Sequence, residues 1–258
     1  MSKVFINGKI IDSRNAEISI FDRGFLYGDG LFESLRTYNC KPFLLDEHLA
    51  RLFKSARLLK IKIPYSKLKI KNNIARLIKI NKFKEAYIKI IVTRGEAKSH
   101  GLSTKNVKGK ANVIIIIEKL KRSPKKSNWK IITKTTTHSS TIKSLDYLNN
   151  ILAKTEAEKK GADETILIDP QGYVLEGTVS NIFIVKNGIL ITPPLSLPIL
   201  PGVTRQFIMK LARKLKIKVQ EKKIKLKDLK NADECFLTFS GEGIVPVING
   251  KITRLLML

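Results

Sequence analysis

Thr141-Ile142-Lys143-Ser144-Leu145-Asp146-Tyr147-Leu148 is followed along the chain by Leu175-Glu176-Gly177 and then by Pro201-Gly202-Val203-Thr204-Arg205. The three stretches place a lysine, a carboxylate and a Gly-Val-Thr helix start in a fixed order. A lysine amine can form a Schiff base with an aldehyde. A carboxylate set against a ring nitrogen raises the pKa of that nitrogen and keeps it protonated. A helix N-terminus presents backbone amides to a phosphate. Singly, each signal is weak, because 49 of the residues are Lys or Arg and most must be solvated. Their order gives them weight.

Two N-terminal motifs, Asp22-Arg23-Gly24 and Tyr27-Gly28-Asp29-Gly30, join this set. Together the motifs resemble the class IV (fold type IV) pyridoxal phosphate aminotransferases. That family includes branched-chain aminotransferases, D-amino acid aminotransferases and aminodeoxychorismate lyases. The likeness runs from Phe5 to about Lys251, with the motifs in family order. It implies an α+β fold of two domains: a small α/β sandwich over residues 1–120 and a larger, barrel-like cofactor domain over 121–258. The charged stretch Lys119 to Lys126, containing Pro124, reads as the linker between them. After Pro246-Val247-Ile248-Asn249-Gly250-Lys251 the family continues into another strand and a terminal helix. This sequence runs out at Arg254-Leu255-Leu256-Met257-Leu258, so a shortened second domain is expected.

The resemblance carries over residue by residue. Lys143 matches the lysine that joins pyridoxal 5'-phosphate as an aldimine and then shuttles a proton at the substrate Cα. Tyr147 lies where some relatives place a tyrosine on the cofactor's 3' oxygen. Glu176 matches the partner of the pyridine nitrogen. Arg51, within Glu47-His48-Leu49-Ala50-Arg51-Leu52, matches a phosphate-binding arginine, whose planar fork suits tetrahedral oxyanions. Val203, Thr204 and Ser240 match the phosphate cup, and Leu200 matches a residue packed on the ring face. On the substrate side the matches are Phe32, Tyr87, Lys89, His100 and Gly241. Phe32 replaces a tyrosine that resembles a D-amino acid enzyme signature, and Lys89 stands where an arginine is usual in branched-chain enzymes. The loop Ser240-Gly241-Glu242-Gly243 departs from the family's usual threonine followed by small residues.

The stretches Tyr147-Leu148-Asn149-Asn150-Ile151-Leu152-Ala153-Lys154 and Gly177-Thr178-Val179-Ser180-Asn181-Ile182-Phe183 look most like branched-chain aminotransferases. The expected activity is therefore amino transfer between a branched-chain amino acid and 2-oxoglutarate. The alternative is aminodeoxychorismate lyase, which eliminates pyruvate with the same cofactor and lysine. Gly30-Leu31-Phe32-Glu33-Ser34-Leu35-Arg36 and His100-Gly101-Leu102-Ser103-Thr104 fit that reading too. D-amino acid transfer and an inactive binding protein rank below these. The family also implies a homodimer, with the polar segment Gly95 to Lys110, which holds His100, reaching toward the neighbouring active site.

Composition bounds these readings. A chain of 258 residues, 43% hydrophobic, can bury a sizeable core. It contains no run of about 18 apolar residues, so no membrane partner is expected. Val113-Ile114-Ile115-Ile116-Ile117 reads as a buried strand. No signal-peptide pattern precedes Gly8, and Cys40 and Cys235 form no CxxC or disulfide framework, which points to the cytoplasm. The formal charge of +27 favours polyanions. The lysines are nonetheless dispersed among isoleucines, as in Lys60-Ile61-Lys62-Ile63, so no specific nucleic-acid partner is expected and amino acids and 2-oxo acids remain the substrates.

Local signals outline the elements. Asn7-Gly8 predicts a hairpin over residues 1–12. A short strand is expected from Pro42 to Leu45, then a helix capped by Asp46 to about Leu59, with Leu49, Leu52, Phe53 and Ala56 on one face. A second helix is expected over Tyr65 to Asn81, and strands at Glu85–Thr93 and Ala111–Glu118. In the second half, strands are expected at Trp129–Thr135, Thr165–Ile168, Tyr173–Leu175, Ile182–Lys186, Gly188–Ile191, Lys218–Glu221, Glu234–Thr238 and Val245–Ile248. Helices are expected over Leu148–Lys160, ending at Gly161, and Val203–Lys216, with no regular βαβ alternation.

Overall fold

A computed structural model of the chain describes residues 2–120, 128–137 and 141–247. These fall into two compact units. One holds residues 2–120 with Ile142–Tyr147; the other holds residues 128–137 and 141 with 148–247. The heart of the expected linker and the sequence beyond Val247, including the end of the last expected strand, lie outside the described residues.

In the first unit, β1 (Lys3–Ile6) and β2 (Lys9–Asp12) form the expected hairpin. Asn7 and Gly8 both have positive φ, as a two-residue turn between twisted strands requires. A short α1 (Arg23–Tyr27) follows, then β3 (Gly30–Tyr38), β4 (Lys41–Pro42), α2 (Leu45–Leu58), α3 (Lys67–Asn81) and β5 (Ala86–Thr93). The small ribbon β6 (Glu96–Ala97) and β7 (Val107–Lys108) precedes β8 (Asn112–Lys119). The main sheet is antiparallel, with order β2-β1-β8-β5-β3-β4.

The period-2 alternation of strands sorts the two faces of this sheet. Ala86, Ile88, Ile90 and Val92 of β5, with Val113, Ile115 and Ile117 of β8, join Leu49, Leu52 and Ala56 of α2 and Ile70, Ile74 and Leu77 of α3 in one core. Tyr87, Lys89 and Ile91 point to the other, partly open face. Asp46 does not cap α2. Leu44 is the N-cap, in a left-handed conformation, and Asp46 sits in the first turn beside Glu47. There a carboxylate still opposes the positive end of the helix. Ser66 caps α3, its hydroxyl accepting from Lys69 N.

The second unit contains β9 (Ile131–Thr135), α4 (Leu148–Lys159), β10 (Glu164–Ile168), β11 (Val174–Gly177), β12 (Asn181–Lys186) and β13 (Ile189–Thr192). After these come α5 (Val203–Lys214), β14 (Val219–Glu221), α6 (Leu226–Lys230), β15 (Glu234–Phe239) and β16 (Gly243–Pro246). One sheet has order β11-β10-β9 and the other β14-β13-β12-β15-β16. Two local crossovers interrupt the antiparallel pattern: β9 and β10 pair in parallel on either side of α4, and β13 and β14 do so around α5. At both places the expected order was strand, helix, strand, and that crossover is what parallel neighbours require. Gly161 takes positive φ just beyond α4, as expected of a residue ending a helix. Among the described residues no helix is long and apolar enough to cross a membrane.

Candidate active site

In the first unit, the lysine stretch lies along the start of β3. Phe32 N donates to Lys143 O, Leu145 N donates to Gly30 O, each at 3.0 Å, and Leu31 and Ser144 form an antiparallel bridge. The glycines of Tyr27-Gly28-Asp29-Gly30 make room for this docking. Gly28 ends α1 at φ +66, and a Cβ there would lie 3.2 Å from Asp146 N. A Cβ on Gly30 would lie 2.6 Å from both Leu145 Cδ1 and Val92 O.

The other members of the N-terminal motifs are scaffold. Buried Asp22 accepts from Gly24 N, the Thr93 hydroxyl and Asn112 Nδ2 at 2.6–2.7 Å. Asp29 accepts from Arg23 Nε at 2.8 Å and from Arg94 Nε at 2.8 Å. Burial pushes the Asp29 carboxyl up, but the hydrogen bonds and charges of Arg94 and Arg23 outweigh it and hold the pKa below its ordinary value. Arg23 also donates to Gly101 O and Leu102 O, and the Tyr27 hydroxyl accepts from Gly101 N, so the segment carrying exposed His100 is tied to α1.

Around Lys143 the surroundings are aromatic. Its Nζ donates to the Tyr147 hydroxyl at 3.0 Å and lies 4.4 Å from the centre of the Phe32 ring. Phe32 and Tyr147 meet edge to face with centroids 5.0 Å apart, and Lys89 Nζ sits 4.9 Å from the same Phe32 ring. Two ammonium groups thus share one aromatic ring, whose quadrupole attracts both. Tyr87 donates its hydroxyl to Ser34 Oγ at 2.8 Å. Five of the residues singled out from the sequence, Phe32, Tyr87, Lys89, Lys143 and Tyr147, belong to this region of the first unit.

Arg51 is in the same unit, with its planar edge on Glu33: Nε to Oε1 is 2.8 Å and Nη2 to Oε2 is 2.7 Å. His48 Nδ1 meets Glu33 Oε2 at 2.7 Å. Burial raises the Glu33 pKa, yet Arg51 and then His48 lower it further, leaving it below the ordinary glutamate value. Glu33 and His48 were absent from the sequence-derived site. The signal was present nonetheless: Glu33 alternates with Leu31, Leu35 and Thr37 on the buried side of β3, where a carboxylate must find donors.

The second unit assembles the carboxylate and the helix start. The Glu176 oxygens accept from Leu200 N at 3.1 Å, and Oε2 accepts from Asn181 Nδ2 at 2.9 Å. Asn181 Nδ2 also donates to Leu200 O, so one amide aligns β11 with the turn before α5. Asn181 is a positioning residue that the sequence reading quoted without assigning. A Cβ on Gly202 would collide with Asn181 Oδ1, which is why a glycine precedes Val203 and Thr204. Gly202 caps α5 without any side-chain bond. The Thr204 and Ser240 hydroxyls lie 3.3 Å apart, two hydrogen-bonding groups beside the amides of a helix N-terminus. This cradle has the donors a phosphate requires, and Glu176 is held ready to accept from a ring N–H. Gly241 packs on Phe239, which would lie 3.3 Å from a Cβ at that position. On this chemistry the residues fit pyridoxal phosphate. No cluster of metal-ligating side chains occurs among the described residues.

The family model for class IV amino-transferases matches residues 30–249. A protein of Methanocaldococcus jannaschii named "Putative branched-chain-amino-acid aminotransferase" is 40% identical, over 97% of this chain and 89% of its own length. The D-alanine aminotransferase of Bacillus licheniformis is 33% identical over 95% of this chain and 87% of that protein. Among solved structures, the branched-chain aminotransferase from Thermoproteus uzoniensis with norvaline superposes with a TM-score of 0.87 at 29% identity, covering 98% of this chain and 89% of that one.

Proposed function

The chain belongs to the class IV aminotransferase family and is a pyridoxal phosphate-dependent aminotransferase, and from that premise we propose that it exchanges amino groups between branched-chain L-amino acids and 2-oxoglutarate. The observation that carries the substrate choice is the apolar ring of Phe32 set beside the Lys143 amine, with the Lys89 ammonium on the same ring. An aliphatic side chain suits the ring. The distal carboxylate of a dicarboxylic 2-oxo acid suits Lys89. The resemblance to the archaeal relative and to the structure holding norvaline supports the same reading.

When bound, pyridoxal phosphate supplies an aldehyde that condenses with amines and a protonated ring that takes up carbanion charge. Lys143 Nζ, steadied by the Tyr147 hydroxyl, is the base that removes the proton from the substrate Cα and returns it as general acid. Glu176, oriented by donors from Leu200 N and Asn181, would accept the ring N–H. In the second unit, the Val203 and Thr204 amides with the Thr204 and Ser240 hydroxyls would bind phosphate oxygens; in the first, Arg51 presents a charge-assisted fork for the same kind of anion. Leu200 covers a ring face. Tyr87 of the first unit and Gly241 of the second are each assigned to the substrate by their match to the family, and His100 stands in a loop serving a neighbouring copy.

The protein works as a homodimer. Ile20, Phe21, Phe25 and Leu102 of the first unit are more than half exposed, as are Leu148, Ile151 and Leu152 of the second. Each unit thus carries exposed apolar side chains that a second copy would cover. We assign it to the cytoplasm, where thiols stay reduced, since Cys40 and Cys235 are both free.

Purified enzyme should form glutamate from L-leucine plus 2-oxoglutarate faster than from D-alanine plus 2-oxoglutarate, and release no pyruvate from aminodeoxychorismate. Preference for D-alanine, or pyruvate release, would overturn the substrate assignment. Borohydride reduction followed by peptide mapping should fix the cofactor on Lys143; a label on any other lysine would remove Lys143 from its role.

A further inference from the structure

We propose that Glu33 is a positioning residue for cofactor phosphate, acting through Arg51, with His48 locking the carboxylate from its other side. The inference rests on the reading that Arg51 binds the phosphate. Three observations carry it. Glu33 and His48 each keep only 1% of their side-chain surface exposed, whereas Arg51 keeps 11%, so Arg51 alone brings the cluster toward the surface. Glu33 takes the Nε–Nη2 edge of the guanidinium side-on, which fixes the plane of the fork and the direction of its Nη1 end. An arginine presents five donors in a rigid fan, so orienting one edge orients the rest.

His48 completes the geometry. An ionised carboxylate has no proton to give, so the contact between His48 Nδ1 and Glu33 Oε2 is an Nδ1–H donating to the carboxylate. Oε2 then receives both His48 and Arg51, and Oε1 receives Arg51, which leaves the carboxylate little freedom to rotate. Glu33 hangs from β3, which is paired to β5 from Gly30 to Arg36, so the anchor is stiff. An arginine on a helix surface without such a partner would sample many rotamers and lose that freedom only on binding phosphate. The cluster meets that cost during folding.

The test compares two ligands that differ only in the phosphate, pyridoxal 5'-phosphate and pyridoxal, titrated into cofactor-free enzyme and followed by absorbance. The ratio of their affinities within one variant reports phosphate recognition and cancels general loss of fold. Glu33→Gln removes the charge but keeps the size. Glu33→Asp keeps the charge and draws the carboxylate back by one methylene, so it folds as a paired acid while displacing the fork. Each should lower the preference for the phosphorylated ligand by about tenfold, the lower end for residues that orient a charged ligand group. Arg51→Gln should lower it further. If both Glu33 variants keep the wild-type ratio while Arg51→Gln loses it, the positioning role is wrong and the phosphate role of Arg51 stands. If Arg51→Gln keeps the ratio, the phosphate role of Arg51 itself fails.

Discussion

Leu145 occupies the space that a side chain on residue 30 would need. A Cβ added to Gly30 would lie 2.6 Å from Leu145 Cδ1 and equally close to Val92 O of the neighbouring strand. The lysine stretch is therefore seated on β3 by the absence of one methyl group, two residues from the contact between Phe32 N and Lys143 O.

Gly30→Ala should accordingly harm both folding and catalysis. Inserting a methyl into a packed site costs about 1–3 kcal/mol. The methyl would press on Val92 O of β5 as hard as on Leu145 Cδ1, so the strand pairing and the lysine segment must both give. The expected result is a clear fall in thermal midpoint with at least a tenfold loss of kcat, since a shift of about 1 Å in a reacting group costs as much or more. A variant with lowered stability and unchanged kcat would show that the docking serves only the fold.

Glu176→Gln should retain cofactor while losing turnover. The amide oxygen can still accept from Leu200 N, so the turn before α5 keeps its anchor. It carries no charge to hold a ring proton, so kcat should fall by about a hundredfold or more, in the range of a lost electrostatic contact to the transition state. Steady-state rates set against cofactor retention after gel filtration give the answer. Near wild-type turnover would end the electron-sink role.

Acid should weaken the fold partly through Glu33. Its folded-state pKa lies below the ordinary glutamate value of 4.5, so the unfolded chain binds the proton more readily. The stabilisation is complete above that value and is lost as pH falls through the folded pKa. Asp29, also lowered, acts in the same sense. Urea midpoints between about pH 6 and pH 3 should drop in the wild type and drop less steeply in Glu33→Gln. Parallel curves would mean that the Glu33 bridge is energetically idle.

The two cysteines should react very differently. Burial pushes the Cys235 thiol up to about 12, so almost none is thiolate at neutral pH, while Cys40 is exposed in a turn. A thiol reagent should titrate one group in native protein and two after denaturation. Rapid modification of Cys235 without unfolding would show that the core cluster around it opens readily.

What the sequence determined by itself is everything written in local chemistry. The Asn7-Gly8 hairpin and the apolar faces of α2 and α3 are each set by near neighbours: turn dihedrals and helical spacing. The order of Lys143, Glu176 and Val203-Thr204 along the chain was also visible there, and with the other motifs it carried the family resemblance that the class IV family model bears out. Boundaries slipped where the deciding contact was small, as when Leu44 rather than Asp46 began α2. Tertiary structure alone decided the partners. Glu33 meets Arg51 across 18 positions, and Asn181 ties Glu176 to Leu200 across 24. A hydrogen bond depends on distance and direction in space, and residue spacing along the chain encodes neither until strands and helices have packed.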